Sequence, residues 1–163
     1  GDPLAPTAKS QVLETYPVLA LIARGWVLPD RRPSGRLPKY NPTRRKTFSL
    51  EDWRFVCGRV ADGLACHGLR RLSRWVEEVS AASAPRKGDQ DGLDSCICLL
   101  VAIAIAEGEP CLMVGDTATG YIVVPRGDDL RTELVARCRR TGRDPSCHLR
   151  TFRAPVRPTI GPN

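Results

Sequence analysis

The stretch DGLDSCICLLVAIAIAEG, from Asp91 to Gly108, carries the strongest structural signal in this sequence. Apolar residues fill almost every position after Asp94 over a length that suits a helix rather than a strand. A helix that is apolar on every face must be buried on all sides. We therefore predict a central helix from Asp91 to Glu107, ended by Gly108. Its apolar run, Cys96 to Ala106, is too short to cross a bilayer.

Two acidic residues lie at the start of this predicted helix. Asp91 and Asp94 are three residues apart, which puts both side chains on one face near the positive end of the helix dipole. One interpretation is that they cap and stabilise the first turn. The other is that Asp94, whose charge lies at the edge of the apolar run and needs a partner, forms with Asp91 a pair of carboxylates for a metal ion.

The sequence that follows the helix predicts a β-hairpin. The apolar runs Cys111–Val114 and Tyr121–Val124 flank the turn sequence GDTATG, as hairpin strands do. Leu130 to Arg139 is compatible with one more helix. Beyond Gly142, arginines and prolines dominate, so we predict one domain over residues 1–149 and an extended basic tail over residues 150–163.

The N-terminal part predicts a strand and three helices. QVLETY, from Gln11 to Tyr16, is β-like and ends at a proline, which puts Glu14 near the end of a strand. A carboxylate at a strand end and carboxylates at a helix start can meet across a shallow cleft and hold Mg²⁺ or Mn²⁺. An exposed strand end is the alternative. The predicted helices are Val18 to Arg24, an amphipathic helix capped by Ser49, and about Leu69 to Ala82.

The segment from Asp30 to Lys46 is basic and broken by prolines. It holds seven Lys or Arg, three prolines and no acid after Asp30, and the whole chain has a net charge of +7. Such a loop favours the phosphate backbone of nucleic acid, with a tyrosine available to stack on a base. The candidate nucleic-acid contacts are Arg36, Lys39, Tyr40, Arg44, Arg45 and Lys46. A solvated loop without a ligand is the alternative.

Four of these motifs together resemble a known family. LETYPVLAL (Leu13 to Leu21), LPKYNPTRRKTFSLEDW (Leu37 to Trp53), the Asp91 to Gly108 stretch and GYIVVP (Gly120 to Pro125) occur in this order. They resemble the C-terminal half of the predicted RNase H-like nucleases grouped as domain of unknown function 429. The resemblance implies an α/β, RNase H-like core with a buried C-terminal helix.

The resemblance also implies roles for the three carboxylates. Glu14 corresponds to the strand-four carboxylate of that fold, Asp94 to the acid on its last helix, and Asp91 to an auxiliary group. Glu14 and Asp94 would bind Mg²⁺ or Mn²⁺, and the basic loop would face the substrate backbone. The first-strand aspartate of such folds has no counterpart before Leu13, so we expect a missing N-terminal half or a partner chain to supply it.

Three functions follow as hypotheses. The first is a metal-dependent nuclease acting on DNA or RNA, or part of one. The second is a non-catalytic module that binds nucleic acid or assembles with other chains, and the third is a structural subunit whose sheet edge pairs with another chain. No basic segment followed by an apolar one opens the given sequence, so we do not expect a secreted protein, and the seven cysteines suit a reducing compartment. We therefore expect a cytoplasmic protein without a membrane partner, with buried thiols favoured over a zinc site.

Overall fold

The computed structural model describes residues 12–30 and 35–154. These residues form a mixed α/β structure with six helices and one three-stranded antiparallel sheet. The chain divides into two compact units. A helical unit contains residues 25–100, and a sheet unit contains the residues up to 24 and those from 101 onward. The elements are α1 Pro17–Ala23, α2 Leu50–Cys66, α3 Arg70–Ser80, α4 Lys87–Ala106, β1 Cys111–Asp116, β2 Gly120–Pro125, α5 Asp128–Arg140, α6 Pro145–His148 and β3 Leu149–Phe152.

Helix α2 forms the core of the helical unit. The Ser49 side chain accepts a hydrogen bond from the Asp52 N–H at 3.2 Å, which confirms the predicted N-cap. The apolar positions of α2 recur at helical spacing and are fully buried. They are Trp53, Val56, Cys57, Val60 and Leu64. The Trp53 indole also donates to the Val79 carbonyl of α3 at 3.3 Å, which joins the two helices.

Helix α4 begins one turn before its predicted start. The first helical residue is Lys87, and the Asp89 carboxylate accepts from the Arg86 N–H at 2.7 Å, which satisfies a free donor at this end. Asp91 and Asp94 are therefore the fifth and eighth residues of the helix. The prediction that they lie in its first turn is wrong. The helix begins at Lys87, two residues after Pro85, and Gly88 does not interrupt it.

The prediction that α4 is buried on all sides is also wrong. Leu93, Ile97 and Leu100 are buried, but Ser95 and Ala102 on another side are exposed. The side chains on that side are small, so their exposure to water costs little free energy.

In the part of the chain that the structure describes, no helix has both the length and the apolarity needed to span a membrane.

The sheet unit is built on β1. This strand pairs antiparallel with β2 on one side and β3 on the other, so that Cys111 lies opposite both Pro125 and Phe152. The predicted hairpin is confirmed, and the Asp116 carboxylate closes its turn by accepting from the Ala118 and Thr119 N–H groups. The basic tail predicted from residue 150 starts inside this sheet as β3, and residues 155–163 lie outside the described part.

The predicted strand at Gln11–Tyr16 is not formed over its described residues, 12–16. The segment makes one backbone hydrogen bond to β2, from the Val123 N–H to the Glu14 carbonyl at 2.8 Å. A strand needs a series of such bonds, and Pro17 begins α1 directly afterwards. Helix α1 itself is confirmed, and Gly25 follows it with φ +68°, a conformation that favours glycine.

Candidate carboxylate site and basic loop

One short segment, residues 36–40, contacts two acidic side chains of the helical unit. At its start, the Arg36 guanidinium binds the carboxylate of Asp52 in α2. At its end, the Tyr40 hydroxyl donates to the carboxylate of Asp94 in α4 at 2.9 Å. We call these residues the bridging segment. It places two predicted site residues, Tyr40 and Asp94, in direct contact.

Asp52 is an ion-paired, buried carboxylate. Its side chain is 1% exposed and accepts from Arg36 Nη2 at 2.9 Å and from the Lys39 N–H at 2.7 Å. The hydrogen bond from Arg36 is the main reason why the pKa of Asp52 is lowered. Each carboxylate oxygen is thus matched by a cation or a backbone donor. This environment fixes the bridging segment to the start of α2.

Asp94 has a different environment. Its half-buried carboxylate accepts from the Tyr40 hydroxyl at 2.9 Å and from the Gln90 amide at 3.2 Å, and both donors are neutral. Burial raises the pKa of Asp94, and the hydrogen bonds from Tyr40 and Gln90 only partly oppose that rise. Lys87 lowers this pKa through its charge, and Asp91 raises it. A carboxylate with a raised pKa and neutral partners is a common feature of functional sites.

Asp91 is the exposed neighbour of Asp94. It forms an ion pair with Lys87 four residues earlier, with 2.6 Å between Lys87 Nζ and Asp91 Oδ1. Both carboxylates keep lone pairs that are not used by these contacts, because a carboxylate has about four acceptor positions. Two carboxylates and several waters suit Mg²⁺. Over the described residues, no group of three or more His, Cys, Asp or Glu side chains could hold a metal ion.

Glu14, the third predicted catalytic residue, belongs to the sheet unit. Its side chain is exposed, and its backbone carbonyl is the group that accepts from β2. The prediction that it shares an ion with Asp94 therefore stays a prediction. The two predicted carboxylates that the structure brings to one place are Asp91 and Asp94, through their spacing on α4.

The basic loop has an inner and an outer part. The Arg36 charge is compensated by Asp52, and Tyr40 is only 4% exposed, so its ring is not available for stacking on a base. Lys39, which lies between them in the sequence, is exposed. Farther along the loop, Arg44, Arg45 and Lys46 are exposed as well. We call these three residues the cationic triplet. The Arg44 carbonyl accepts from the N–H groups of Thr47 and Phe48, which holds the triplet in a hydrogen-bonded turn.

A second set of exposed cations lies in the sheet unit and was not among the predicted site residues. Residues 126–154 contain eight arginines and four acids. This charge surplus is visible in the sequence, where it falls within the predicted helix and the predicted tail. Seven of these arginines are exposed in α5 and the residues after it: Arg131, Arg137, Arg139, Arg140, Arg143, Arg150 and Arg153.

Sequence reasoning also missed the partners of the two carboxylates. Arg36 and Asp52 are 16 positions apart in the sequence, so no local sequence pattern predicts their ion pair. Gln90 precedes Asp94 by four residues, and that spacing on a helix is a signal for a contact. No family model, curated protein or solved structure matches the chain.

Proposed function

We propose that this protein binds nucleic acid by its phosphate backbone, with the cationic triplet as a principal contact. One observation carries the proposal: the triplet is exposed on an ordered turn, and within the described residues none of its members forms an ion pair. Arg and Lys that approach phosphates release condensed counterions, which drives binding without reading sequence. DNA and RNA both offer that chemistry.

The other cations and the tyrosine of the loop have separate roles in this proposal. Arg36 stays on Asp52 and supports the turn from inside. Tyr40 holds Asp94 instead of stacking on a base, because its ring is buried and its hydroxyl is engaged. The exposed arginines of α5 and of the residues after it provide further phosphate contacts on the sheet unit. The net charge of +7 supplies the long-range attraction.

Salt dependence tests this proposal. Replacing Arg44, Arg45 and Lys46 with Ala should weaken binding to a duplex and to a single strand. The slope of log affinity against log salt should fall by up to about two to three, the contribution of three phosphate contacts. The matched control, R44K/R45K, keeps the charges and should keep the slope. An unchanged slope in the triple variant would remove the triplet from the interface.

A second candidate function is metal-dependent phosphodiester hydrolysis on an RNase H-like core. The observation in its favour is Asp94, a half-buried carboxylate with neutral partners beside a second carboxylate on the same helix. Asp94 and Asp91 would hold Mg²⁺ or Mn²⁺, and the sequence adds Glu14 as a further ligand. Such an ion activates water and stabilises the leaving oxygen. Tyr40 and Gln90 would orient the Asp94 carboxylate for it.

Binding of Mn²⁺ tests this second candidate apart from activity. Paramagnetic broadening of NMR signals around α4 should appear on adding Mn²⁺ and vanish in Asp94→Asn, while Glu51→Gln, an exposed carboxylate elsewhere in the unit, should keep it. We expect the chain alone to cut nucleic acid poorly, and a partner chain that supplies a further carboxylate to restore cleavage that Asp94→Asn abolishes. Robust cleavage that survives both Glu14→Gln and Asp94→Asn would refute this assignment.

A further inference from the structure

The charges of α3 run against its own dipole. Arg70, Arg71 and Arg74 occupy the first half of the helix, and Glu77 and Glu78 the second. The first turn contains no acid and the last turn no base, although acids are favourable at the start of a helix and bases at its end. This order is unfavourable within one helix. It becomes favourable when another copy of the helix lies antiparallel, because each basic half then meets an acidic half.

A largely apolar groove lies beside these charges. Its volume is about 410 Å³, and it is lined by Leu72, Trp75, Gly92, Ser95, Cys96 and Leu99 of α3 and α4. Leu72 is 37% exposed, which is high for a large apolar side chain. A Cβ on Gly92 would come within 2.4 Å of the Trp75 ring. The missing side chain therefore lets the indole lie against α4 and form one wall of the groove.

The positions of two charges relative to Trp75 make this surface complementary to the same surface on a second copy of the chain. Arg71 precedes Trp75 by four residues and Glu78 follows it by three, so both flank the indole on its side of α3. They are separated by two helical turns, about 10 Å. Both are exposed, and neither forms an ion pair within the described residues. A two-fold axis beside Trp75 would bring Arg71 of each copy to Glu78 of the other.

We propose that this surface binds a second copy of the chain. The two α3 helices lie antiparallel, Leu72 of each copy enters the groove of the other, and the Arg71–Glu78 pairs form twice. Such an interface is isologous, using the same patch on both copies. One helix and one groove are small against interfaces of stable dimers, so the dimer should dissociate on dilution. This proposal is independent of the nucleic-acid function.

Charge exchange provides the test. The mass of the nuclease-treated protein is measured by sedimentation over a range of concentrations. Arg71→Glu and Glu78→Arg each put like charges opposite each other twice, and each should weaken self-association roughly tenfold or more. The double variant R71E/E78R restores both pairs and should regain the dimer. An equimolar mixture of the two single variants should form a heterodimer, because their charges are then complementary.

Two controls separate this interface from folding and from general charge effects. Arg70→Glu makes the same charge change on the side of α3 away from Trp75 and should leave the dimer intact. Leu72→Asp should abolish it, with the circular dichroism spectrum unchanged. A protein that is monomeric at every concentration, a dimer that nuclease treatment removes, or a mixture of the single variants that stays monomeric would each overturn the proposal.

Discussion

Asp52 and Asp94 are two acidic side chains of the helical unit that the same bridging segment contacts. Asp52 receives a guanidinium and a backbone N–H, and its pKa is lowered. Asp94 receives a tyrosine hydroxyl and a side-chain amide, and its pKa is raised. Asp52 is buried and Asp94 is half-buried. The sign of the shift is set by whether a cation is present to offset the burial.

The opposite pKa shifts distinguish Asp52, a structural carboxylate, from Asp94, a candidate functional carboxylate. A buried charge with a fixed cation has its charge and hydrogen-bonding needs met, and removing one of the two partners destabilises the fold. A half-buried charge with neutral partners keeps an unmet preference for a cation or a proton, which a ligand can satisfy. We therefore expect substitutions at Asp52 to change stability, and substitutions at Asp94 to change chemistry more than stability.

The largest effect on stability should come from Asp52→Asn. This change leaves Arg36 without its counter-ion and weakens the anchor of the bridging segment. Loss of a fully buried ion pair costs 3–5 kcal/mol, and the 37% exposure of Arg36 reduces this, so we expect a loss of about 2 kcal/mol. Urea unfolding at neutral pH measures it. The control is Glu51→Gln, an exposed carboxylate in the same helical turn, with an expected change below about 0.5 kcal/mol.

The pH dependence of this loss has a defined sign. Because the pKa of Asp52 is lowered by folding, its contribution is present above its ordinary value of 3.8 and is lost as the pH falls through the lowered value. The stability difference between the parent and Asp52→Asn should therefore shrink in acid. A difference that stayed constant down to low pH would mean that the charge of Asp52 is not what stabilises the segment.

Tyr40→Phe should have the next largest effect. It removes the 2.9 Å hydrogen bond to Asp94 and leaves the buried ring in place. A hydrogen bond to a charged group contributes about 1.5 kcal/mol or more, so we expect a loss of that order. The pKa of Asp94 should rise further, because one group that favours its ionised form is gone. An NMR titration of the Asp94 carboxyl follows this, and an unmoved pKa would contradict the contact.

Asp94→Asn should affect stability less and with the opposite sign. Because folding raises the pKa of Asp94, the ionised carboxylate is disfavoured in the fold at neutral pH. The neutral side chain should equal or exceed the parent in stability at pH 7, by no more than about 1 kcal/mol. That advantage should fade as the pH falls through the raised pKa of Asp94 and should be gone below 3.8, where the carboxyl is protonated in both states. A loss above that size at neutral pH would make Asp94 structural.

The sequence allowed much of the fold to be predicted where the pattern was local. Periodic apolar residues located α2, and the helices predicted at about Leu69 to Ala82 and at Leu130 to Arg139 are found as α3 and α5. The Ser49 cap and the hairpin turn were confirmed because side chains close in sequence determine them. The strand at Glu14 was wrong because β-like composition does not create a pairing partner. The start of α4 was wrong by one turn because no sharp break separates Lys87 from Asp91.

The candidate site was less predictable, since its contacts join distant residues. Asp94 was identified as a charge at the edge of the core that needed a partner, and the structure supplies Tyr40, 54 residues away. Arg36 and Tyr40 were assigned to a ligand on composition alone, and composition does not distinguish an inward-facing cation from an outward-facing one. That distinction requires Asp52 and Asp94 to be placed beside them.

The cationic triplet should show the smallest effect on stability, and this sharpens the contrast with Arg36. All four residues belong to one basic loop, but only Arg36 has a buried acidic partner. The exposed side chains of the triplet contribute little to folding, because the turn is held by the Arg44 backbone carbonyl, which Ala retains. The free energy of unfolding of the R44A/R45A/K46A variant, measured in urea, should therefore lie within about 0.5 kcal/mol of that of the parent.

Because the fold of this triple variant is preserved, any loss of its nucleic-acid affinity can be assigned to the missing charges. A destabilised triple variant would instead show that the triplet supports the turn, and the division between an inner structural part and an outer binding part of the loop would fail.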